Sequence, residues 1–233
     1  MLGVNRPTII WSVGRTDWVA WHEAYDDPNS PHRQRLALIQ GHIEECLEAH
    51  PPGRLRAISM CAGDGRDLLE VLRRHPRRMD VEARLVEIDA ELADRGRRAA
   101  KRDGLKGIEV VTGDASGTDA YEGAVPADLV LICGVFGNVA PESIENTVRR
   151  LPQLCAPGAT VIWTRHRREP DLTARIREWF GAASFVEVSF HAPTPNSSNL
   201  TDSQWAWIGV GVHRYTGPPV PFHPSQRMFT FVD

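Results

Sequence analysis

Two glycines and two acidic residues follow one short apolar run, and this spacing is typical of a nucleotide-binding turn. The run 55–60 leads into Cys-Ala-Gly-Asp-Gly-Arg-Asp, so Gly63, Asp64, Gly65 and Asp67 lie directly before an apolar helical pattern. The turn lacks the Gly-Lys-Ser/Thr ending of a Walker loop and the third glycine of a dinucleotide fingerprint. Carboxylates at a helix start would repel a diphosphate and tolerate an ammonium group. The turn therefore favours a nucleoside with an amino-acid tail, unless the two acids only compensate the helix dipole.

Acidic residues also follow the next two apolar runs. Glu87 lies 22 residues after Gly65, and an acid about 20 residues past such a turn is where ribose hydroxyls find an acceptor. Asp114 follows the third run, where a carboxylate can accept from the exocyclic amine of a base. Each acid alone has an alternative interpretation as a solvated loop residue. Their register with the glycine turn predicts a nucleoside site.

The loop after the fourth apolar run is expected to face the reacting centre. Phe136 and Asn138 are the candidates for the side chains that line it. Gly134 and Gly137 predict a close approach of the backbone, although the same spacing also occurs in ordinary turns.

A histidine and three arginines follow the fifth apolar run. His166 is a candidate general base because the pKa of an unperturbed histidine lies near neutrality. The alternative is that residues 165–168 form a solvated cationic loop. If the cluster binds the substrate, arginine pairing predicts an acidic one.

The segment 18–35 is rich in tryptophan, tyrosine and histidine and precedes the alternating elements. It is interpreted either as a lid that excludes water or as a segment pinned to the core by Trp18 and Trp21. Within it, Tyr25 with Arg33 or Arg35 is a candidate for holding a ligand carboxylate. The loop 193–205 is expected to close the far side of the pocket or to be a mobile surface loop.

The elements that must position these residues alternate along the chain. Short apolar runs alternating with helical patterns predict parallel βαβ crossovers and a doubly wound α/β sheet. Two alternating runs, 184–192 and 204–215, predict an antiparallel hairpin at the sheet edge. The predicted strands are 55–60, 83–88, 108–112, 128–133 and 159–164, and the predicted helices are 33–49, 66–74, 90–102, 141–154 and 171–182.

The domain division follows from a Pro-Pro-Gly linker. Residues 1–53 are expected to form an N-terminal helical cap, and residues 54–233 a single α/β core. The proline-rich ending is expected to pack irregularly, with Phe229 and Phe231 as its anchors.

Composition excludes several classes of protein. The 233 residues are 42% hydrophobic and 24% charged, and the net charge of −3 favours neither nucleic acid nor an anionic membrane. Neither a secretion signal nor a membrane-spanning run is recognisable, and the four cysteines show no zinc-binding spacing, which together predict a cytoplasmic protein. The arginine runs at 73–78 and 95–102 are interpreted as solvated faces; an RNA footprint is the alternative.

Over about residues 55–215, this set of motifs resembles the class I S-adenosylmethionine-dependent methyltransferases. The resemblance implies a Rossmann-like, mostly parallel seven-stranded sheet with a terminal antiparallel hairpin, S-adenosylmethionine as cofactor and no metal. Two positions depart from the family pattern: Ser59 stands where an acid is usual, and Cys61 where the first glycine is usual. The cofactor-binding residues so implied are Gly63 and Gly65 near the methionine part, Glu87 on the ribose, Ile88, Asp114 and Ala115 on the adenine, and Cys133 and Gly134 beneath the sulfonium. Asp64 in the turn and Arg35 with Tyr25 are further candidates from the residues themselves.

The expected activity is methyl transfer to a small-molecule acceptor, with Asn138, His166 and Tyr25 as the candidate catalytic residues. Three alternatives remain: other chemistry on the same cofactor, methylation of a nucleic acid, and an inactive cofactor-binding partner protein. A dinucleotide oxidoreductase is disfavoured because the third glycine is lacking. The oligomeric state stays open.

Overall fold

The computed structural model describes residues 25–27, 30–192 and 208–232. The predictions for Trp18, Trp21 and the loop 193–205 lie outside the described residues. The helices are α1 (Pro31–Ala49), α2 (Arg66–Arg74), α3 (Ala90–Arg102), α4 (Pro141–Arg150) and α5 (Thr173–Ala182), and the strands are β1 (Leu55–Met60), β2 (Val81–Glu87), β3 (Ile108–Thr112), β4 (Ala127–Ile132), β5 (Cys155–His166), β6 (Phe185–His191) and β7 (Ile208–Tyr215).

The seven strands form one sheet in the order β3-β2-β1-β4-β5-β7-β6. Strands β1 to β5 run parallel, and β7 pairs antiparallel with both β5 and β6. This is the α/β architecture that the sequence predicts, including the antiparallel pair of terminal strands. Because β7 lies between β5 and β6, only the earlier strand of that pair forms the sheet edge. The strand order reverses between β1 and β4, which creates the crevice where ligands bind in doubly wound sheets.

The observed boundaries differ from the predicted ones where proline or capping intervenes. The helix predicted over 141–154 ends at Arg150 and continues as a single 3₁₀ turn, Leu151–Gln153. Pro152 lacks the N–H that a further α-turn needs. Helix α5 begins at Thr173, whose N–H and hydroxyl both donate to the Asp171 carboxylate. Strand β5 extends to His166 because β7 pairs with it along its whole second half.

Helix α1 covers one face of the sheet. Its Ile39, Ile43 and Leu47 are buried in the same cluster as Leu72 of α2 and Leu131 of β4. A stripe at this spacing is the apolar face of an amphipathic helix, and its burial stabilises the packing of α1 on the sheet. The helix lies in the proposed cap segment and nevertheless contributes to the core.

The opposite face holds the aromatic cluster and the C-terminal segment. Trp163 of β5 is fully buried and stacks on Phe180 of α5, with the ring centroids 6.0 Å apart. Phe229 is buried, as predicted for an anchor. Phe231 is less buried than predicted: the residue is 42% exposed, its ring packs edge-on against that of Phe229 with the centroids 5.5 Å apart, and its backbone pairs with that of Val139. The terminal segment is held by backbone bridges in addition to side-chain burial.

A buried histidine links three elements on this face. The indole N–H of Trp163 donates to Nδ1 of His213 on β7 over 3.1 Å. Nε2 of His213 lies 3.7 Å from the carboxylate of Glu187 on β6, which is itself paired with Arg177 of α5 at 2.5 Å. Burial lowers the pKa of His213 to about 4, despite the opposing effect of Glu187. The histidine is therefore neutral in the folded protein at pH 7.

We expect the contribution of His213 to the free energy of unfolding to fall as the pH is lowered from 7 to 4.5, because the unfolded histidine titrates near a pKa of 6.5. Between pH 6.5 and 4 the unfolded chain binds a proton that the folded chain does not, so stability rises with pH across this window. The expected loss is about 2 kcal/mol. This loss should appear as the difference between the wild type and His213→Gln when urea unfolding is compared at the two pH values.

The exposed His191 provides the control, since His191→Gln should keep the wild-type slope. Burial raises the pKa of Asp67 to about 6, so its titration changes the free energy of unfolding in the opposite direction to that of His213. This contribution is present in every variant and cancels when the variants are compared. An identical pH dependence in wild type and His213→Gln would contradict the assignment.

Candidate functional site

The glycine turn lies at the carboxyl end of β1, beside the crevice. The N–H of Ala62 donates to the carbonyl of Val86 over 3.0 Å, which ties the turn to β2. Gly63 and Gly65 have φ values of 58° and 72°, a region in which residues with a Cβ are strained. Cys61 has a φ of 52° at the position where the family usually has a glycine. The turn is therefore a tight left-handed loop, and Gly65 packs closely against Leu85 of β2, where a Cβ would lie 2.5 Å from its side chain.

Glu87 connects this turn to the start of α3. One carboxylate oxygen accepts from the N–H of Gly63 over 2.7 Å, and the other from the N–H of Asp89 over 2.9 Å. The residue is only 6% exposed. A carboxylate oxygen has two lone pairs, so each oxygen retains one acceptor site. This arrangement gives a fixed, charged acceptor beside the glycine turn, as the sequence spacing predicts.

Two features of α3 at this site were not predicted from the sequence. Asp89 caps the helix by accepting from the N–H of Glu91 and Leu92. Gly96 lets the helix approach the turn, because a Cβ there would lie 3.1 Å from the carbonyl oxygen of Asp64. The signals were present: an aspartate before a helical pattern is a cap, and a glycine inside one marks a close approach.

The loop after β3 places the base-recognition candidates next to Glu87. Ala115 is buried, and its carbonyl accepts from the hydroxyl of Tyr121 over 2.9 Å. Partial burial would raise the pKa of Asp114, but hydrogen bonding from Ser116 and the charge of Arg227 outweigh it and lower that pKa. Ile88, at the end of β2, is 64% exposed. An ionised carboxylate and an exposed apolar side chain thus flank the crevice.

The two acids of the turn lie in different surroundings. Asp64 is paired with Arg66 at 2.6 Å, and the guanidinium of Arg66 also lies 5.0 Å from the ring centroid of Tyr25. Asp67 is buried, and burial raises its pKa to about 6 although the N–H of Leu68 donates to it. Asp64 is therefore ion-paired on the turn, whereas Asp67 is a buried carboxyl with a raised pKa.

A buried polar group lies behind the turn. Arg35 of α1 donates to the hydroxyl of Tyr25 and is close enough to Asp67 and Cys133 for electrostatic interaction. Burial lowers the pKa of Arg35, and the charges of Cys133 and Asp67 oppose this shift. The other candidate for pairing with Tyr25, Arg33, lies 3.8 Å from Glu70 on the surface. The structure therefore places Arg35 with Tyr25.

The loop after β4 is held by its own hydrogen bonds. The N–H of Gly134 donates to the hydroxyl of Thr164 over 2.9 Å, and the side-chain amide of Asn138 donates to the carbonyl of Gly134 over 2.7 Å. The prediction that Phe136 faces the reacting centre is wrong. Its ring is fully buried, 6.0 Å from that of Trp163, because the loop turns it into the aromatic cluster.

His166 ends β5 beside this loop. Its ring carbon lies 3.2 Å from the position that a Cβ on Gly137 would take. Nδ1 is buried and has no hydrogen-bond partner among the residues that the structure describes. Burial and the neighbouring charge of Arg165 lower the pKa of His166, so the imidazole is neutral at pH 7. Arg165 is itself buried and donates to the carbonyl of Phe136, which does not fit a wholly solvated cationic loop.

Two surface clefts lie away from this crevice. One, of about 390 Å³, is lined by Arg150, Gln153 and His223 among others, and the second, of about 400 Å³, borders it near Trp179 and Tyr215. Neither contains a residue from the carboxyl ends of the parallel strands, where ligands bind in this architecture. Over residues 25–27, 30–192 and 208–232, no group of three His, Cys, Asp or Glu side chains is placed to hold a metal ion.

Comparisons with known proteins identify the fold. No family model matches the sequence, and no curated protein matches it. Magnesium protoporphyrin IX methyltransferase (ChlM) from Synechocystis PCC 6803, solved with bound SAM, is 12% identical over 87% of this chain and 86% of its own, with a TM-score of 0.59. The N-methyltransferase NodS from Bradyrhizobium japonicum WM9 is 13% identical, with 83% of this chain and 99% of that one covered and a TM-score of 0.57.

A third solved structure has a different activity. The [4+2]-cyclase SpnF is 13% identical over 70% of this chain and 76% of its own, with a TM-score of 0.52. At these identities the comparisons show the fold: the chain has the architecture of the class I S-adenosylmethionine-dependent methyltransferases.

Proposed function

We propose that this protein is an S-adenosylmethionine-dependent methyltransferase that acts on a small molecule. The observation that carries the proposal is the position of Glu87, a buried carboxylate bonded to the N–H groups of Gly63 and Asp89 beside the left-handed turn. A fixed acceptor at this place fits a ribose diol, and the adjoining turn offers no lysine or third glycine for phosphates.

The neighbouring residues fit the rest of the cofactor. The exposed side chain of Ile88 provides an apolar surface for the adenine, and the ionised Asp114 provides an acceptor for its amine. Arg35 would pair with the carboxylate of the methionine part, with Tyr25 holding the guanidinium. Asp67, which interacts electrostatically with Arg35, would accept from the ammonium group and so supply the carboxylate that Ser59 does not.

On the acceptor side, His166 would take up a proton. When bound, the cofactor supplies a methyl group on a sulfonium, whose leaving group is already activated. The neutral imidazole of His166 would accept the proton that a hydroxyl or an amine must lose. Asn138 holds the loop beside it through Gly134.

The surface arginines support a small-molecule acceptor over a nucleic acid. Arg74 pairs with Glu44 at 2.8 Å, and Arg95 pairs with Glu91 at 2.6 Å. Arg77 pairs with Asp80 and also donates to backbone carbonyls, including that of Leu47. Guanidiniums whose hydrogen bonds are satisfied within the protein are poor candidates for a phosphate-binding surface.

A second candidate function is chemistry on the bound cofactor or substrate without methyl transfer. This second candidate is supported by the similarity of the fold to that of the [4+2]-cyclase SpnF. Incubation with methyl-labelled cofactor and candidate acceptors distinguishes the two, because only a methyltransferase transfers the label to the acceptor.

The proposal predicts that S-adenosylhomocysteine binds with micromolar affinity and that NADH does not bind. Calorimetric titration of the full chain with each compound measures this directly. The same titration with the Asp80→Asn variant should give the wild-type result. Asp80 directly precedes β2 and therefore lies at the opposite ends of the parallel strands from the site. Failure of S-adenosylhomocysteine to bind would contradict the proposal.

A further inference from the structure

The terminal residues 226–232, here called the C-terminal strap, connect the two halves of the crevice. The N–H of Met228 donates to the carbonyl of Ser116 over 2.7 Å, and the N–H of Val232 donates to the carbonyl of Asn138 over 3.0 Å. Met228 is fully buried, and its carbonyl accepts from Thr147 of α4. The strap therefore has a fixed position relative to both the loop after β3 and the loop after β4.

One side chain of the strap reaches the base-recognition loop. The guanidinium of Arg227 donates to the hydroxyl of Ser116 over 2.8 Å and to the carboxylate of Asp114 over 3.4 Å. The backbone of Arg227 is held by a bridge to Gly117 and by a hydrogen bond from Asn146. The backbone of Arg227 is therefore fixed at the point from which its side chain reaches Asp114.

The carboxylate of Asp114 is restrained at both oxygens. Oδ1 accepts from the N–H of Ser116 over 2.9 Å, and Oδ2 faces Arg227. Two restraints of this kind fix the direction of the remaining lone pairs. Both side chains remain more than half exposed, so a ligand can still reach the carboxylate.

We propose that Arg227 is a positioning residue that orients Asp114 to accept from the exocyclic amine of the adenine. This inference rests on the proposed function and adds to it a determinant of base specificity from the far end of the sequence. An exposed ion pair contributes little to stability, so the contact is better explained by the orientation it imposes than by folding energy.

The test compares two nucleosides that differ only at that amine. S-adenosylhomocysteine carries the donor, and the analogue with unsubstituted purine in place of adenine carries only a hydrogen at that position. We expect the wild type to prefer the first by about tenfold or more, the range for one hydrogen bond to a charged group. In Arg227→Met the preference should fall at least about threefold, and Arg227→Lys should restore part of it.

Two further measurements separate orientation from folding. The melting temperature of Arg227→Met should equal that of the wild type, because the packing of the strap depends on Met228 and Phe229. The variant Arg73→Met, at an exposed arginine at the end of α2, is the matched control and should keep the wild-type preference.

The outcomes distinguish the two claims. If the wild type prefers S-adenosylhomocysteine and Arg227→Met keeps that preference in full, the role of Arg227 is wrong and the proposed function stands. Equal weakening of both nucleosides in Arg227→Met also contradicts the inference, since a structural role would act on both alike. If the wild type binds neither nucleoside, the proposed function itself fails.

Discussion

Replacement of Glu87 by glutamine will weaken S-adenosylhomocysteine binding by about 50-fold, the loss expected for hydrogen bonds to a charged acceptor. Both oxygens of Glu87 accept from backbone N–H groups, of Gly63 and of Asp89. A glutamine has one acceptor oxygen, so its NH₂ group must face one of these N–H donors. The variant therefore loses the charge and displaces either the glycine turn or the start of α3.

Calorimetric titration with S-adenosylhomocysteine measures this effect. The matched control is Glu82→Gln on the same strand, since Glu82 lies on the surface and pairs with Arg54 at 3.1 Å. We expect the control to bind as the wild type does. Thermal unfolding of both variants shows whether Glu87→Gln has kept its fold, and Glu87→Asp, which retains the charge, should bind more tightly than Glu87→Gln. Undiminished binding by a folded Glu87→Gln would remove the central support of the proposed function.

The second large effect is expected in the core, at a glycine of β7. A Cβ on Gly211 would lie 2.3 to 2.5 Å from three ring atoms of the buried Trp163. The ring is confined by Phe180 on the other side and by its hydrogen bond to His213, so it has little freedom to move. We expect Gly211→Ala to lower the free energy of unfolding by about 3 kcal/mol, the upper range for overpacking a core.

A glycine-to-alanine substitution in α1 should change the free energy of unfolding in the opposite direction. A Cβ on Gly41 meets no atom within 4 Å, and glycine is unfavourable inside a helix. We expect Gly41→Ala to raise the free energy of unfolding by about 0.5 to 1 kcal/mol. Urea denaturation of both variants, with the m-value monitored, tests the pair. Equal effects of the two substitutions would show that the contact with Trp163 is not the cause.

The cofactor side of the site was largely predictable because its residues directly follow strands. The positions of Gly63, Glu87 and Asp114 depend on local patterns. Because β1, β2 and β3 are parallel, the carboxyl ends that these residues follow lie side by side. The parallel direction of β1 to β5 follows from the alternation of strands and helices. Their proximity in the structure supports the predicted roles, which remain predictions until binding is measured.

The rest depends on contacts that no local pattern records. Phe136 lies in a loop, where no periodicity distinguishes a buried side chain from one that faces a substrate. Its burial depends on the contact of its ring with that of Trp163. Arg227 reaches Asp114 across 113 positions of sequence, and the exposure of Phe231 depends on which face the strap presents. The choice of Arg35 over Arg33 likewise depends on how α1 packs on α2.

The placement of β7 between β5 and β6 has a consequence for synthesis on the ribosome. Residues 160–166 of β5 pair with β7, so their outer hydrogen-bonding groups stay unpaired until residues 208–215 have emerged. Arg165 and His166 belong to this stretch. A nascent chain that has completed the parallel strands can therefore position the glycine turn and Glu87, whereas the acceptor side awaits β7 and the orientation of Asp114 awaits residues 226–232. The growing polypeptide acquires the two halves of its site at different times.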